Sequence, residues 1–198
     1  MKTQSILSNI VLYGRSIWQI VRSRLSAKKG IEDILNYRYI SDKLATSGQP
    51  TATELKLISQ AGYKTILNLA PPNASNALPS EQAIATSLGM NYINIPVVWD
   101  NPTMADFNQF CDVMENHKDQ PIFVHCAMNM RVSAFMYLYR YLKLGVPVSE
   151  ARATMTTVWE PNATWQNFIE TAIASDYTNF RSSEPQENFF ESIALQCF

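Results

Sequence analysis

The residues best suited to chemistry in this sequence are a cysteine and an arginine five positions apart. Cys126 ends an apolar run that begins at residue 121, and Arg131 opens a long helical pattern. We therefore predict a strand, a short loop and a helix over this stretch. The positive end of the helix dipole and the N–H groups of the loop would favour the reactive thiolate form of the cysteine. A guanidinium group beside the thiolate can also bind an oxyanion with two parallel hydrogen bonds.

The order of residues in this stretch resembles the active-site signature of the cysteine-dependent phosphatases. In the protein-tyrosine and dual-specificity members, His-Cys is followed by five residues, Arg, and then Ser or Thr. Here four residues separate Cys126 from Arg131, Val132 stands in the hydroxyl position, and Ser133 comes one later. The shorter spacing is similar to a bacterial branch of phosphatase-like domains, some of which accompany beta-lactamase-like hydrolases. Rhodanese-type sulfurtransferases also use the shorter loop, so both chemistries remain open.

The resemblance implies a role for each residue of the loop. Cys126 would be the nucleophile, and Arg131 with the loop amides would hold the phosphate oxygens. Those amides belong to Ala127, Met128, Asn129 and Met130. Asn129 stands near the usual glycine, and asparagine is one of the few other residues that visit a left-handed backbone. His125 should point to the other face of its strand and fix the loop by hydrogen bonds, while Ser133 would support it.

A buried and inert cysteine is the ordinary alternative for Cys126, because free cysteine is among the most buried residue types. Arg131 would then cap some other element. The combination of His125, Cys126 and Arg131 between an apolar strand and a helix favours an anion-binding thiolate loop instead.

A thiolate that cleaves a phosphate ester needs an acid to protonate the leaving oxygen. The related phosphatases take that proton from an aspartate on an earlier loop, and Asp100 matches it by position, after a predicted strand at residues 91–95. Asp100 could instead be an ordinary turn residue. Asp106 is the second candidate, but with Thr103 it forms a capping box, which gives it a structural reason to be there.

The remaining candidates have simpler interpretations. Cys111 is expected in the core, although it could be a resolving thiol for Cys126. His117 should be a cation at a helix C-terminus. Trp159 either lines the pocket or forms a packing corner, and the corner is favoured. Three cysteines, of which Cys197 is the last, predict no disulfide framework and fit a reducing cytosol.

Strand and helix patterns alternate through the middle of the chain. Predicted strands cover residues 37–40, 44–47, 65–69, 91–95 and 121–125, and predicted helices cover 51–61, 80–88, 103–118, 131–144, 149–159 and 164–175. This alternation predicts an α/β fold with a central, mostly parallel sheet of four to five strands and helices on both faces, whose ligands bind at the carboxyl ends of the strands. Ser80 and Thr51 are expected helix caps. The resemblance, which also includes residues 47–50 and 62–69, covers residues 31–174 and implies the cysteine-phosphatase fold.

The chain divides into three parts. Residues 1–30 form a basic amphipathic segment, because six Lys or Arg residues precede the first acid, Glu32. Residues 31–178 form the phosphatase-like catalytic domain, and 179–198 an acidic polar tail. The basic segment is too short for a membrane span and lacks a cleavage site, so secretion is not expected. It could lie on an anionic membrane, although a packed helix or disordered leader is favoured.

The composition gives no separate indication of function. A length of 198 residues suits one domain, and a net charge of −1 gives no reason to expect nucleic-acid binding. We therefore predict a cytoplasmic cysteine phosphatase that cleaves phosphorylated proteins or small phosphoesters through a phosphocysteine, without a metal or cofactor; weak membrane contact through residues 1–29 is the alternative to a packed helix or disordered leader. The alternatives are a sulfurtransferase that uses a Cys126 persulfide, or a pseudophosphatase that only binds phosphate. The sequence does not name the substrate.

Overall fold

Five short strands and six α-helices make up the described part of the chain, which is residues 30–183 of a computed structural model, with side chains described to residue 176. The strands are β1 (Arg38–Ser41), β2 (Leu44–Ser47), β3 (Thr65–Asn68), β4 (Asn91–Asn94) and β5 (Ile122–His125). The helices are α1 (Ala52–Gln60), α2 (Glu81–Ser87), α3 (Met104–Asn116), α4 (Met130–Leu142), α5 (Val148–Thr156) and α6 (Ala163–Ser183), and a 3₁₀ turn at Ile31–Asp33 precedes them. Each strand and helix predicted for this part of the chain is present.

The strands form one sheet in the order β1-β2-β5-β3-β4. β5 lies at its centre and runs parallel to β2 and β3, β3 runs parallel to β4, and only β1 is antiparallel. The mostly parallel sheet predicted from the sequence is therefore confirmed. His125 pairs with Ser47 on one side and with Asn68 on the other. The carboxyl ends of three strands thus meet at one edge, directly before Cys126.

Helices cover both faces of the sheet, as the sequence predicts. On one face, Phe123 packs in a core cluster with Leu55 and Ile58 of α1. On the other face, Val124 belongs to a larger cluster with Phe135 of α4, to which α3, α5 and α6 also contribute. α4 is buried from Arg131 to Tyr139, because it lies between the sheet and the neighbouring helices. The reactive loop is therefore attached to a buried strand and a buried helix.

Two of the three predicted helix caps are formed by side chains. At α1, Thr51 Oγ1 accepts from the N–H of Glu54 at 3.3 Å, and Glu54 Oε2 accepts from the N–H of Thr51 at 2.9 Å. Thr103 and Asp106 form the same capping box at α3. The prediction for Ser80 is wrong in its chemistry: it occupies the N-cap position of α2 but makes no side-chain cap bond. Its φ of 57° is left-handed, whereas a capping hydroxyl needs an extended backbone.

The C-terminal helix is longer than the sequence pattern predicted. α6 continues to Ser183 instead of ending near residue 175, because neither proline nor glycine interrupts residues 176–183. The start of the predicted acidic tail therefore lies within this helix. The basic segment before residue 30 and Cys197 lie outside the described residues. Among the helices that are described, none has the length and apolar character needed to cross a membrane.

Candidate active site

Cys126 directly follows β5, and α4 begins four residues later at Met130. The predicted strand, loop and helix are therefore present. The side chain of Cys126 is 1% exposed, and its backbone N–H donates to the carbonyl of Ser47 at 3.4 Å. The thiol is therefore buried at the start of the loop, which connects the buried strand β5 to the buried helix α4.

Asn129 gives the short loop its bend. Its φ of 65° is left-handed, which matches the expectation that asparagine replaces the usual glycine there. Asn129 is fully buried, and its Nδ2 donates to the carbonyl of Asn36 at 2.7 Å and to Thr46 Oγ1 at 3.0 Å. These two bonds lock the turn against the segment around β1 and β2.

The loop presents several backbone donors without partners. Within residues 30–183, the N–H groups of Ala127, Met128, Met130 and Arg131 make no hydrogen bond. Met130 and Arg131 belong to the first turn of α4, where backbone N–H groups have no partner within the helix, and together with the two loop amides they form a ready site for an anion. The loop carbonyls, in contrast, are occupied. Ala127 O accepts from the N–H of Gln49 at 3.2 Å.

Arg131 is held in place through one of its three guanidinium nitrogens. Nε donates to the carbonyl of Val97 at 2.9 Å, and Cζ lies 5.3 Å from the centre of the Trp99 ring. The side chain is nine-tenths buried. No acidic partner for Nη1 or Nη2 occurs among the described residues, so the two terminal nitrogens remain available to a bound oxyanion.

Asp100 is not brought into contact with the reactive loop. It is exposed, lies in a turn closed by the bond from Asn101 N–H to Val98 O at 3.3 Å, and forms no ion pair with Arg131. It lines a cavity of about 460 Å³ beside the start of α6, and neither Cys126 nor Arg131 contributes to that lining. Its nearest link to the site is its neighbour Trp99, whose ring lies against Arg131.

The other candidate acid and the other sulfur have structural roles. Asp106 Oδ2 accepts from both the N–H and the hydroxyl of Thr103, at 3.0 and 2.7 Å. Cys111 belongs to α3 and lies in the hydrophobic core, and burial raises the pKa of its thiol to about 12. It therefore stays protonated at neutral pH, and both it and Cys126 are free thiols. His117 ends α3, with Nδ1 2.9 Å from the carbonyl of Val113.

His125 faces away from the loop and meets a buried carboxylate. As the strand alternation predicts, its ring lies on the α2 face of the sheet, where Nε2 is 3.2 Å from Glu81 Oε1. Neither ring nitrogen of His125 bonds to a loop atom among the described residues, so the predicted role of His125 in fixing the loop by hydrogen bonds is not performed by its ring in this structure. The alternation of strand side chains carries the ring to the opposite face from the loop.

Glu81 is the centre of a buried polar cluster. Its carboxylate accepts from Gln49 Nε2 at 2.6 Å, from Asn68 Nδ2 at 2.9 Å and from the Tyr92 hydroxyl at 3.0 Å. Burial alone would raise the pKa of Glu81, but the contacts with His125, Gln49 and Tyr92 lower it below its usual value. The cluster also borders a cavity of about 550 Å³ under the loop at residues 71–80. Glu81 therefore remains charged beneath the strand end that carries Cys126.

Ser133 supports the packed pair of Trp99 and Trp159 and makes no hydrogen bond with the thiol of Cys126. Its hydroxyl donates to the carbonyl of Met130 at 2.9 Å and accepts from Trp159 Nε1 at 3.1 Å. The rings of Trp159 and Trp99 are 5.2 Å apart. Trp159 therefore packs against Trp99, as the packing interpretation predicts. It supports the Trp99 ring that lies against Arg131.

Sequence reasoning missed three polar residues that contact the site. Asn36, Asn76 and Glu81 are 93, 53 and 48 positions from Asn129, and none belongs to the signature. Glu81 resembles an ordinary acid at a helix start, and the two asparagines resemble ordinary turn residues. No local signal distinguishes them, because their partners come from distant parts of the chain.

The comparisons with known proteins agree with this geometry. A family model described as DSP-PTPase phosphatase fused to NAD+ kinase matches residues 17–173. A DUF442 protein of Shewanella putrefaciens CN-32, solved at 1.40 Å as a candidate phosphatase, is 33% identical, with 73% of this chain and 95% of that chain covered and a TM-score of 0.67.

Two further relatives show how far the similarity extends. A beta-lactamase hydrolase-like protein of Xylella fastidiosa (strain Temecula1) is 33% identical over 95 residues, or 46% of this chain. The match spans about a fifth of that relative, 22% of its length. A Cys-to-Ser variant of P. aeruginosa TpbA in complex with pTyr is 16% identical, covers 74% of this chain and 85% of that one, and has a TM-score of 0.53. This last likeness concerns the fold alone.

Proposed function

The chain belongs to the family described as DSP-PTPase phosphatase fused to NAD+ kinase, and on that premise we propose that it hydrolyses phosphoric monoesters through Cys126. The thiolate sulfur attacks phosphorus, the S–P bond forms, and the bond from phosphorus to the leaving oxygen breaks. Water then attacks the phosphocysteine, the S–P bond breaks, and inorganic phosphate leaves with the thiolate restored. The chemistry requires no metal or cofactor.

One observation carries this proposal: a buried cysteine, unpaired amide donors and two available guanidinium nitrogens belong to a single six-residue stretch. Arg131 and the amides of Ala127, Met128 and Met130 supply donors to the equatorial oxygens of the phosphoryl group. Such donors stabilise the charge that develops in the transition state more than they stabilise the ground state. Asn129 contributes by shaping the turn.

We assign the general acid to Asp100. It protonates the leaving oxygen in the first step and takes a proton from water in the second. Its exposed carboxylate has no hydrogen-bond partner among residues 30–176, whereas the carboxylate of Asp106 is committed to a helix cap. Asp100 shares its turn with Trp99, whose ring lies against Arg131, and a movement of this turn on substrate binding would carry the acid toward the leaving group.

The proposed substrates are phosphorylated proteins or small phosphoesters. The complex of a structural neighbour with pTyr and the exposed side chain of Met128 in the loop favour a phosphate on an aromatic or otherwise apolar carrier. Two free cysteines in the described residues fit the reducing cytoplasm. Residues 1–29 would add weak peripheral contact with anionic membranes. Nucleic acid is not a proposed partner.

Phosphate release from an aryl phosphate tests the proposal. The wild-type protein should release phosphate, and Cys126→Ser should abolish release while keeping the fold, because it removes the nucleophile and leaves the donors in place. Cys111→Ser is the matched control, since it changes a core sulfur of the same kind, and it should retain activity. Activity in Cys126→Ser equal to wild type would contradict the proposal.

A further inference from the structure

Two side-chain amides from outside the loop bind its carbonyl groups. Asn76 Nδ2 donates to the carbonyl of Ala127 at 3.0 Å, and Asn36 Nδ2 donates to the carbonyl of Met128 at 3.0 Å. Asn76 belongs to the connection between β3 and α2, and Asn36 to the turn before β1. Neither residue lies within the Cys126–Arg131 stretch, and both reach it across more than 50 positions of sequence.

These bonds determine the direction of the neighbouring N–H groups. In a trans peptide the carbonyl and the following N–H point in opposite directions. Because the Ala127 carbonyl is held by Asn76 and by the N–H of Gln49, the N–H of Met128 faces the other way, and it has no hydrogen-bond partner among the described residues. The outward bond from Asn36 to the Met128 carbonyl holds the next peptide, so that this carbonyl oxygen does not turn toward a bound oxyanion.

The orientation of each peptide matters more in this loop because the loop is shorter than usual. Four residues between Cys126 and Arg131 offer one amide fewer than the usual five, so each remaining donor matters more. A loop whose peptides could rotate would turn carbonyl oxygens toward a bound phosphate and repel it. Gly48 allows the close packing that holds the loop from the other side, because a Cβ there would lie 3.1 Å from the Ala127 carbonyl.

We propose that Asn36 and Asn76 are positioning residues that hold the loop carbonyls outward, away from the phosphoryl oxygens, and that Asn76 thereby keeps the N–H of Met128 directed at those oxygens. This inference rests on the proposed function and deepens it. It assigns the preorganisation of a shortened oxyanion loop to two side chains that do not touch the substrate. Asn36 also accepts from Asn129 through its carbonyl, so one residue secures two consecutive positions of the loop.

Tungstate, a tetrahedral oxyanion, is the probe for this inference. The parent protein is the full chain with Cys126→Ser, and binding is measured by isothermal titration calorimetry. Asn76→Ala and Asn36→Gly should each weaken tungstate binding about fivefold, the effect of losing one hydrogen bond, and each variant should still unfold cooperatively at a temperature well above that of the titration. Glycine is chosen at residue 36 because its φ of 52° is left-handed and glycine accepts that conformation.

Asn73→Ala is the matched control, because Asn73 is an exposed asparagine of the same connection and donates no hydrogen bond to the loop. It should bind tungstate like the parent. Parent-like affinity in both Asn36→Gly and Asn76→Ala would overturn the inference, as would a parent that binds no tungstate. The proposed function is decided separately, by Cys126-dependent phosphate release from the protein with both asparagines intact.

Discussion

The Nε of Arg131 donates a 2.9 Å hydrogen bond to the carbonyl of Val97, 34 positions earlier in the chain. This bond joins the loop after β4 to the first turn of α4. It fixes the plane of the guanidinium while the ring of Trp99 lies 5.3 Å from its carbon. A planar group held through Nε can direct both terminal nitrogens at one oxyanion, which a flexible ammonium cannot do.

Arg131→Lys should therefore lower kcat/KM for an aryl phosphate by roughly 10²–10³-fold, the typical cost of losing a preorganised oxyanion donor. Lysine keeps the charge but loses the bond to Val97 and the two-pronged geometry. Steady-state kinetics measure the effect. Arg140→Lys, at the far end of α4 where Arg140 pairs with Glu150, should retain activity, and equal losses in the two variants would contradict the assigned role of Arg131.

Asp100→Asn should slow phenyl phosphate far more than p-nitrophenyl phosphate, by about 10²-fold for the poorer leaving group. Only the poorer leaving group needs a proton as its bond to phosphorus breaks. The measurement is the ratio of kcat in wild type to kcat in Asp100→Asn, determined separately for each of the two esters. Equal losses on both substrates would remove Asp100 from the role of acid.

Asp106→Asn serves as the comparison for Asp100→Asn. It weakens the capping box with Thr103 and should lower the free energy of unfolding by roughly 0.5–1.5 kcal/mol, the net contribution of one hydrogen bond. Asp106→Asn should change kcat for phenyl phosphate and for p-nitrophenyl phosphate by the same factor. Selective loss on phenyl phosphate in this variant would instead identify Asp106 as the acid.

Local sequence patterns were enough to predict most of the architecture. The alternation of strands and helices, the capping boxes at Thr51 and Thr103, and the left-handed bend at Asn129 all depend on residues near one another in the chain. The order of the strands in the sheet was not predicted, because it depends on pairing between strands that are far apart in the chain. The length of α6 was underestimated because nothing in its sequence marks an end.

The supports of the loop could not be predicted in the same way. The side chains of Asn36 and Asn76 each donate one hydrogen bond to the loop, to residues 92 and 51 positions away, and polar turn residues of this kind are common in any protein. The partner of His125 was missed for the same reason, since Glu81 is an ordinary helix-start acid until the fold brings it beneath β5. Signatures identify the reacting groups, whereas tertiary contacts determine their orientation.

The buried carboxylate of Glu81 should make stability depend on pH in the acid range. Its pKa is lowered in the folded protein from the usual value of 4.5, so the folded state binds fewer protons than the unfolded chain. Stability is therefore fully present above about pH 4.5 and is lost as pH falls through the lower folded pKa. Glu81→Gln should cost roughly 1–3 kcal/mol at pH 7, and the difference should shrink below pH 4.5.

Urea unfolding at pH 7 and at acid pH measures this difference. Glu160→Gln is the control, because Glu160 is an exposed glutamate outside the cluster, and it should leave the pH dependence unchanged. A difference between wild type and Glu81→Gln that stays constant through the acid range would contradict a lowered pKa for this carboxylate.

Residues 1–29 should give weak binding to anionic vesicles that decreases with salt, because each basic residue near such a surface contributes about 1 kcal/mol. Sedimentation with phosphatidylserine vesicles measures it. Deleting the segment should abolish sedimentation and leave phosphatase activity intact. Unchanged sedimentation after the deletion would favour the interpretation as a helix packed on the domain.

The central claim is that Cys126 carries a phosphoryl group during turnover, and rapid-quench intact mass spectrometry tests it most directly. The reduced protein is mixed with an aryl phosphate and, separately, with thiosulfate, and the mass of the quenched protein is recorded beside product assays. We expect the mass of one phosphoryl group on Cys126, absent in Cys126→Ser, together with phosphate release. A stable added sulfur on Cys126 with cyanide-dependent thiocyanate formation, and no phosphate release, would contradict the account in favour of sulfur transfer.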